Sequence, residues 1–230
     1  MPARRSAVAR NLRLDARSLF LRKQARLASA QRSRRRSRAQ DRTVLAIEGG
    51  VYDAGAAIEW ARRLGLFQDA AALDGFEGPS AASRGIVFVP ALSGLAAPFW
   101  DRTAAPLFIG MDHATGKQDL VRAVLEGIAM LTAILIDEAG KAAPSHDPIS
   151  IDGGLSQSGA FAGMIASACG RKILVPPMHE LTAIGLAELC GLDIRTKLGN
   201  PREYDPGNAI SAADRRRFRE ALALSHGWRR

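Results

Sequence analysis

A pair of adjacent glycines, Gly153 and Gly154, is the feature of this sequence best suited to binding an anion. The pair follows the apolar segment 149–151 and Asp152, and an amphipathic helical pattern follows the pair. Glycines leave the main chain bare, so a phosphate or a nucleotide ring can approach backbone N–H groups beside the positive end of a helix dipole. The Asp152 carboxylate could orient a metal-bound water or simply hold the turn. Taken alone, the pattern also fits a tight strand–helix connection that binds no ligand.

The segments around this pair alternate between strand and helix patterns, which is typical of layered α/β proteins. Ser156 is a predicted N-cap for the helix after the glycines, because a serine hydroxyl can accept a bond from the first turn. The other predicted strands are 43–50, 85–92, 107–112 and 172–176, and the other predicted helices are 51–66, 117–138, 180–192 and 210–224.

Charge divides the chain into two unlike parts. Residues 1–42 hold fourteen Lys and Arg against two acidic residues, a net charge of +12, whereas the remainder carries −3. The block RSRRRSR at 32–38 repels itself, which predicts disorder for the basic segment. Cys169 and Cys190 are too few for a disulfide framework and predict a reducing compartment. No apolar run approaches the ~18–20 residues that span a membrane.

Four stretches in order resemble the C-terminal domain of the FGGY family of carbohydrate kinases. They are AIEGGVYDAGAAIEW, VPALSGLAAPFWD, LFIGMDHATGKQDLVRAVLEG, and IDGGLSQSGAFAGMIASACGRKILVP with ELTAIGLA. Together they cover residues 44 to about 192. The resemblance implies a ribonuclease-H-like domain of the actin-like ATPase type, with a mixed sheet flanked by helices and preceded by the basic disordered segment.

The resemblance also implies ATP and Mg²⁺ as cofactors and a nucleotide site. By position, the predicted nucleotide-binding residues are Gly55, Glu59, Gly153, Gly154 and Ser158. Two of them depart from the family pattern. Glu59 replaces a neutral amide with a charge that would weaken phosphate binding, and Ser158 is shorter than the asparagine expected there. Glu59 also fits a solvated carboxylate on a helix face.

The N-terminal half of the family, which carries the catalytic Asp and the sugar-binding residues, has no counterpart in residues 1–42. The predicted organisation is therefore a head over 1–42, a kinase C-terminal domain over 43–200, and an extension over 201–230 with a helix. We expect a half that transfers no phosphoryl group alone, with a separate N-terminal half or a second copy as partner and the cytoplasm as compartment. No catalytic base can be named. The alternatives are a non-catalytic remnant and a binding module whose arginine-rich head engages nucleic acid; no membrane contact is expected.

Overall fold

The computed structural model describes residues 11–14, 18–24, 34–39, 42–142, 148–177, 181–190 and 199–229. Five α-helices lie in these ranges: α1 Ala54–Arg63, α2 Lys117–Ala142, α3 Gly159–Cys169, α4 Leu181–Leu189 and α5 Ala212–Ser225. The strands are β1 Asn11–Leu14, β2 Ser18–Gln24, β3 Arg34–Ala39, β4 Arg42–Tyr52, β5 Val87–Val89, β6 Leu107–Ile109, β7 Ile149–Asp152, β8 Ile173–Val175 and β9 Arg202–Tyr204. A candidate membrane-spanning segment is not found among the helices that the structure describes.

Seven strands form one mixed sheet in the order β3-β4-β2-β1-β7-β8-β9. Strands β1, β7 and β8 are parallel, while β2 is antiparallel to both β1 and β4. It follows that β4, β1, β7 and β8 all run in one direction, and their carboxyl ends meet at one edge of the sheet. Strands β5 and β6 form a separate antiparallel pair.

The hairpin of β5 and β6 packs on α1 through aromatic rings. Trp60 on α1 stacks on Phe88 with ring centroids 5.7 Å apart, and Phe88 lies 4.3 Å from Phe108. Aromatic pairs at such distances contribute beyond the area they bury. Helix α5 joins the same core through Phe218, which is fully buried.

The start of α2 lies in one of the four stretches that resemble the family, and its side chains make contacts that stabilise the fold. Asp119 accepts a bond from the Gly116 amide at 2.9 Å, which caps the start of the helix. Two turns later, Glu126 is buried and accepts from the amides of Ala81 and Ala82 and from Arg122. Burial raises the pKa of Glu126, and the bonds from its partners oppose that shift. These contacts fasten a distant loop to α2.

The amino-terminal part differs from the predicted disorder where it is described. Strands β1, β2 and β3 lie within the basic segment, and all three belong to the seven-stranded sheet. The predicted boundary at Thr43 falls inside β4, which pairs with β2 on one side and β3 on the other. Backbone hydrogen bonding explains the difference, because any residue except proline can join a ladder, whatever its charge.

Candidate functional site

The two predicted glycine sites emerge from the same edge of the sheet. Tyr52 at the end of β4 pairs with Ser18 on β2, and Asp152 at the end of β7 pairs with Arg13 on β1. Because Leu14 pairs with Leu19, these pairings place Tyr52 and Asp152 within about two residues of one level. Three strand spacings separate β4 from β7, or roughly 14 Å. The carboxyl ends of parallel strands in α/β sheets are a common location of ligand sites.

The connection after β7 is a tight turn with an open outer side. Gly153 has φ 93° and ψ 176°, a conformation that favours glycine. Its carbonyl oxygen accepts from the Ser156 amide at 3.1 Å and from the Ser156 hydroxyl at 2.7 Å. Gly154 is exposed, and a Cβ built on it would meet no heavy atom within 4 Å. The space beside Gly154 is therefore free for a ligand.

The sequence pattern predicts Ser156 as the N-cap of helix α3, but the observed helix begins later in the chain. A short 3-10 turn covers Gly154–Gln157, and Ser158 is the N-cap. The Ser158 hydroxyl accepts from the Phe161 amide at 3.0 Å, and it donates to the Leu73 carbonyl oxygen or to Asp74 Oδ1, each 2.9 Å away. Its residue is only 6% exposed. Such bonds leave Ser158 little capacity for a nucleotide.

The start of α3 is closed to an anion as well. Asp74 accepts from the Ala160 amide at 2.8 Å. The Phe161 amide donates to the Ser158 hydroxyl, and the Ala162 amide donates to the Ser158 carbonyl oxygen. The amides of Ala160 and Phe161 are therefore not available to a phosphate, because Asp74 and Ser158 already bond them, and anion binding by the glycine pair itself stays a prediction. Sequence reasoning missed Asp74, which precedes Gly75 in a loop and carries no sign of its distant partner.

Helix α1 carries the other two predicted residues. Gly55 lies in its first turn and is half-buried, while Glu59 is exposed one turn later. Glu59 pairs with Arg62 of the same helix at 2.7 Å, with about half of each side chain exposed. The hydrogen bond from Arg62 lowers the pKa of Glu59, so it stays charged. This geometry favours the simpler interpretation of Glu59 as a solvated carboxylate on a helix face.

Asp53, the N-cap of α1, was not predicted as a functional residue. Its carboxylate makes no bond to its own helix and instead accepts from the Ser93 amide at 2.5 Å and the Ser93 hydroxyl at 3.0 Å. An aspartate just before a helical pattern is a usual N-cap signal. The sequence therefore marks the position but not the partner.

The described residues hold no cluster of side chains that could enclose Mg²⁺ without the phosphates of a nucleotide. No group of three or more His, Cys, Asp or Glu among them is placed to hold a metal ion. Asp152 is buried at the end of β7, at 4% exposure. Among the described residues, no side chain is therefore assigned to Mg²⁺.

Sequence comparison matches residues 20–193 to the family model described as the FGGY family of carbohydrate kinases, C-terminal domain. The glycerol kinase of Thermococcus kodakarensis is 34% identical over 154 residues, which are 66% of this chain and 31% of that protein. The glycerol kinase of Aromatoleum aromaticum is 32% identical over 211 residues, 83% of this chain and 41% of that protein. The chain thus spans less than half the length of these relatives.

Solved structures confirm the ribonuclease-H-like fold. The Plasmodium falciparum glycerol kinase with ADP has a TM-score of 0.77 and 21% identity, covering 94% of this chain and 47% of that one. The ligand-bound xylulose kinase of Lactobacillus acidophilus has a TM-score of 0.74 and 24% identity, covering 95% of this chain and 48% of that one. At these identities the likeness establishes the fold alone.

Proposed function

The chain belongs to the FGGY family of carbohydrate kinases, and we propose that it is the nucleotide-binding half of an ATP-dependent carbohydrate or polyol kinase. The observation that carries this proposal is the common sheet edge at which the start of α1 and the Gly153–Gly154 connection emerge. The fit to a nucleotide lies in Gly154, whose exposed backbone has open space where a side chain would project. Gly55, Gly153 and Gly154 are the proposed contacts. Glu59 and Ser158 are bonded to neighbouring residues, and we propose that they contribute little to nucleotide affinity.

Phosphoryl transfer by this half alone is not expected. The reaction depends on positioning two substrates and stabilising charge in a closed cleft, and one half supplies one wall. The full family's reaction moves the γ-phosphoryl group of ATP, with Mg²⁺, to a sugar or polyol hydroxyl. This half would hold the nucleotide by its backbone, and a partner chain with the N-terminal half would supply the other wall.

Calorimetry and a coupled kinase assay test the proposal together. The purified chain should bind ADP or ATP weakly, and it should not phosphorylate glycerol, xylulose or gluconate. Micromolar or tighter affinity would show that the site is more complete than one wall. Multiple turnovers that disappear in Gly154→Val would contradict the half-site proposal, whereas a complete lack of nucleotide binding would leave the non-catalytic remnant as the better account.

A neighbouring reading frame decides between a split kinase and a remnant. If that frame encodes an N-terminal kinase half, mixing the two purified chains should restore turnover. If no such chain exists in the organism, the remnant is favoured.

The charge of +12 over residues 1–42 supports a second candidate, a module that binds nucleic acid through phosphate contacts. Deleting the segment is a poor test, because it removes β1, β2 and β3 from the sheet. Replacing Arg34, Arg36 and Arg38 with glutamine keeps the backbone. RNA binding that falls steeply with salt and is lost in this variant would favour the module.

A further inference from the structure

The loop at residues 91–105, which we call the brace, is closed on itself. The Leu95 amide donates to the Asp101 carbonyl oxygen at 2.7 Å. Gly94 has φ 89°, and a Cβ there would lie 2.7 Å from that same carbonyl oxygen, so only glycine fits. The two sides of the brace are therefore held in contact at Gly94, Leu95 and Asp101.

The brace packs directly on the end of β4. The cavity left between it and the pair Val51 and Tyr52 measures about 10 Å³, which is at or below the limit for one water molecule. The guanidinium of Arg102 also lies over the Tyr52 ring, 5.1 Å from its centroid. The brace is therefore fixed relative to the strand that leads into α1.

Asp53 joins this fixed body to the first turn of α1. It has φ 61° and ψ 18°, the left-handed conformation, which aspartate tolerates better than most residues. An aspartate at an N-cap ordinarily accepts a bond from its own helix. Here both carboxylate oxygens are bonded to Ser93 instead, and Gly55 follows two residues later.

We propose that Asp53 and Ser93 are positioning residues that set the place of Gly55 relative to the Gly153–Gly154 connection. The inference rests on the proposed nucleotide site. Neither residue needs to touch the nucleotide. The carboxylate anchors the strand–helix junction to the brace, and the junction in turn holds the first turn of α1 at the sheet edge.

Two substitutions at one position isolate the anchor from charge and backbone conformation. Asp53→Asn and Asp53→Gly both remove the negative charge, and both residues tolerate positive φ. Only asparagine retains an oxygen that can accept from Ser93. Ser93→Ala is the reciprocal change, since it deletes the 3.0 Å hydroxyl bond and keeps the amide bond. Asp69→Asn, at an exposed position without a side-chain cap bond, is the control for surface charge.

The readouts are the ADP dissociation constant and, in the free protein, hydrogen exchange of the amides of Ala57 and the helical turn that follows it, since Ala57 is the first amide of α1 with an intrahelical acceptor, the Asp53 carbonyl oxygen. We expect Asp53→Gly to weaken ADP binding by about fivefold to tenfold, an effect of the size of one ordinary hydrogen bond. Exchange of those amides should rise in the same variant. Asp53→Asn and Asp69→Asn should stay within about twofold of the unmodified chain, and Ser93→Ala should fall between. Melting curves confirm that each variant is folded at the assay temperature.

Equal ADP affinity and equal exchange in Asp53→Gly and Asp53→Asn would overturn the inference, because the anchor would then have no effect. A weaker affinity in Asp53→Gly without faster exchange would also overturn it, since α1 would not have moved. Absence of ADP binding by the unmodified chain would reject the proposed function itself, and the nucleotide role of Asp53 with it. The unmodified chain thus tests the function, and the variants test the positioning.

Discussion

The starts of α1 and α3 lie at the same sheet edge but treat their first turns in opposite ways. At α3, the Asp74 carboxylate and the Ser158 hydroxyl bond the amides of Ala160 and Phe161. At α1, the Asp53 carboxylate is bonded to Ser93, and no described side chain is hydrogen-bonded to the amides of the first turn. Side chains of the fold therefore occupy the first-turn amides of α3. At α1 the N-cap carboxylate is bonded to the brace instead of to its own helix.

The difference shows that an aspartate near the start of a helix does not necessarily bond the amides of that helix. A carboxylate that caps a helix competes with any ligand for the same N–H groups, whereas a carboxylate bonded elsewhere leaves them alone. At the β7 end of the edge, the glycine connection is therefore the proposed nucleotide contact. At the β4 end, the Asp53 side chain leaves the first-turn amides of α1 without a cap bond.

The largest expected effect comes from closing the space beside Gly154. Gly154→Val should reduce ADP affinity by at least about tenfold, because its Cβ would occupy the proposed ligand space. Gly140→Val is the matched control, since a Cβ there also meets no heavy atom within 4 Å and the residue lies on α2. Calorimetry on both variants measures the effect. Equal affinities would place the nucleotide away from β7.

Ser158→Ala should lower the free energy of unfolding by about 1–2 kcal/mol, because it removes a buried N-cap hydroxyl. Urea unfolding measures this change, and ADP affinity should stay within about twofold at a temperature where the variant is folded. The opposite result, normal stability with much weaker ADP binding, would restore Ser158 as a nucleotide contact and erase the contrast between the two helices.

A third carboxylate, Asp101, holds the far end of the brace and should resist acid. Hydrogen bonds from Thr103 and from His226 hold the pKa of Asp101 well below the usual value. The His226 Nδ1 atom lies 2.7 Å from Asp101 Oδ2. A lowered folded-state pKa stabilises the protein above the usual pKa, and that stability is lost only as pH falls towards the folded value. Protection of the Gly227 amide, which donates to Asp101, should therefore persist from pH 7 to about 4. Asp101→Asn is the reference variant, and loss of protection above pH 5 in the unmodified chain would contradict the depressed pKa.

The smallest effect is expected at Glu59. Glu59→Gln should raise ADP affinity by less than about twofold at physiological salt, because the carboxylate is exposed and already paired with Arg62. Titrations at low and high salt measure it. A tenfold gain would show that Glu59 lies against the phosphates, which would support its predicted place in the site.

Local sequence patterns determined the parts of this protein that depend on consecutive residues. The sequence predicted the turn at the glycine pair after β7, the long helix α2 and the terminal helix α5. Apolar periodicity and backbone preference depend on neighbouring positions, so local patterns report them. The family resemblance added the nucleotide-site residues, which remain predictions. The composition of the arginine-rich segment predicted disorder, but the segment contains β3. The ladder of β3 with β4 uses backbone groups common to all residues.

Only the tertiary structure decided which carboxylate meets which helix. Asp74 reaches Ser158 across 84 positions, and Asp53 reaches Ser93 across 40. Periodicity reports which face of an element is buried, but it carries no information about the element that covers that face. A hydrogen bond needs its two atoms within about 3 Å, so the partner is set by how the packed elements bring distant loops together.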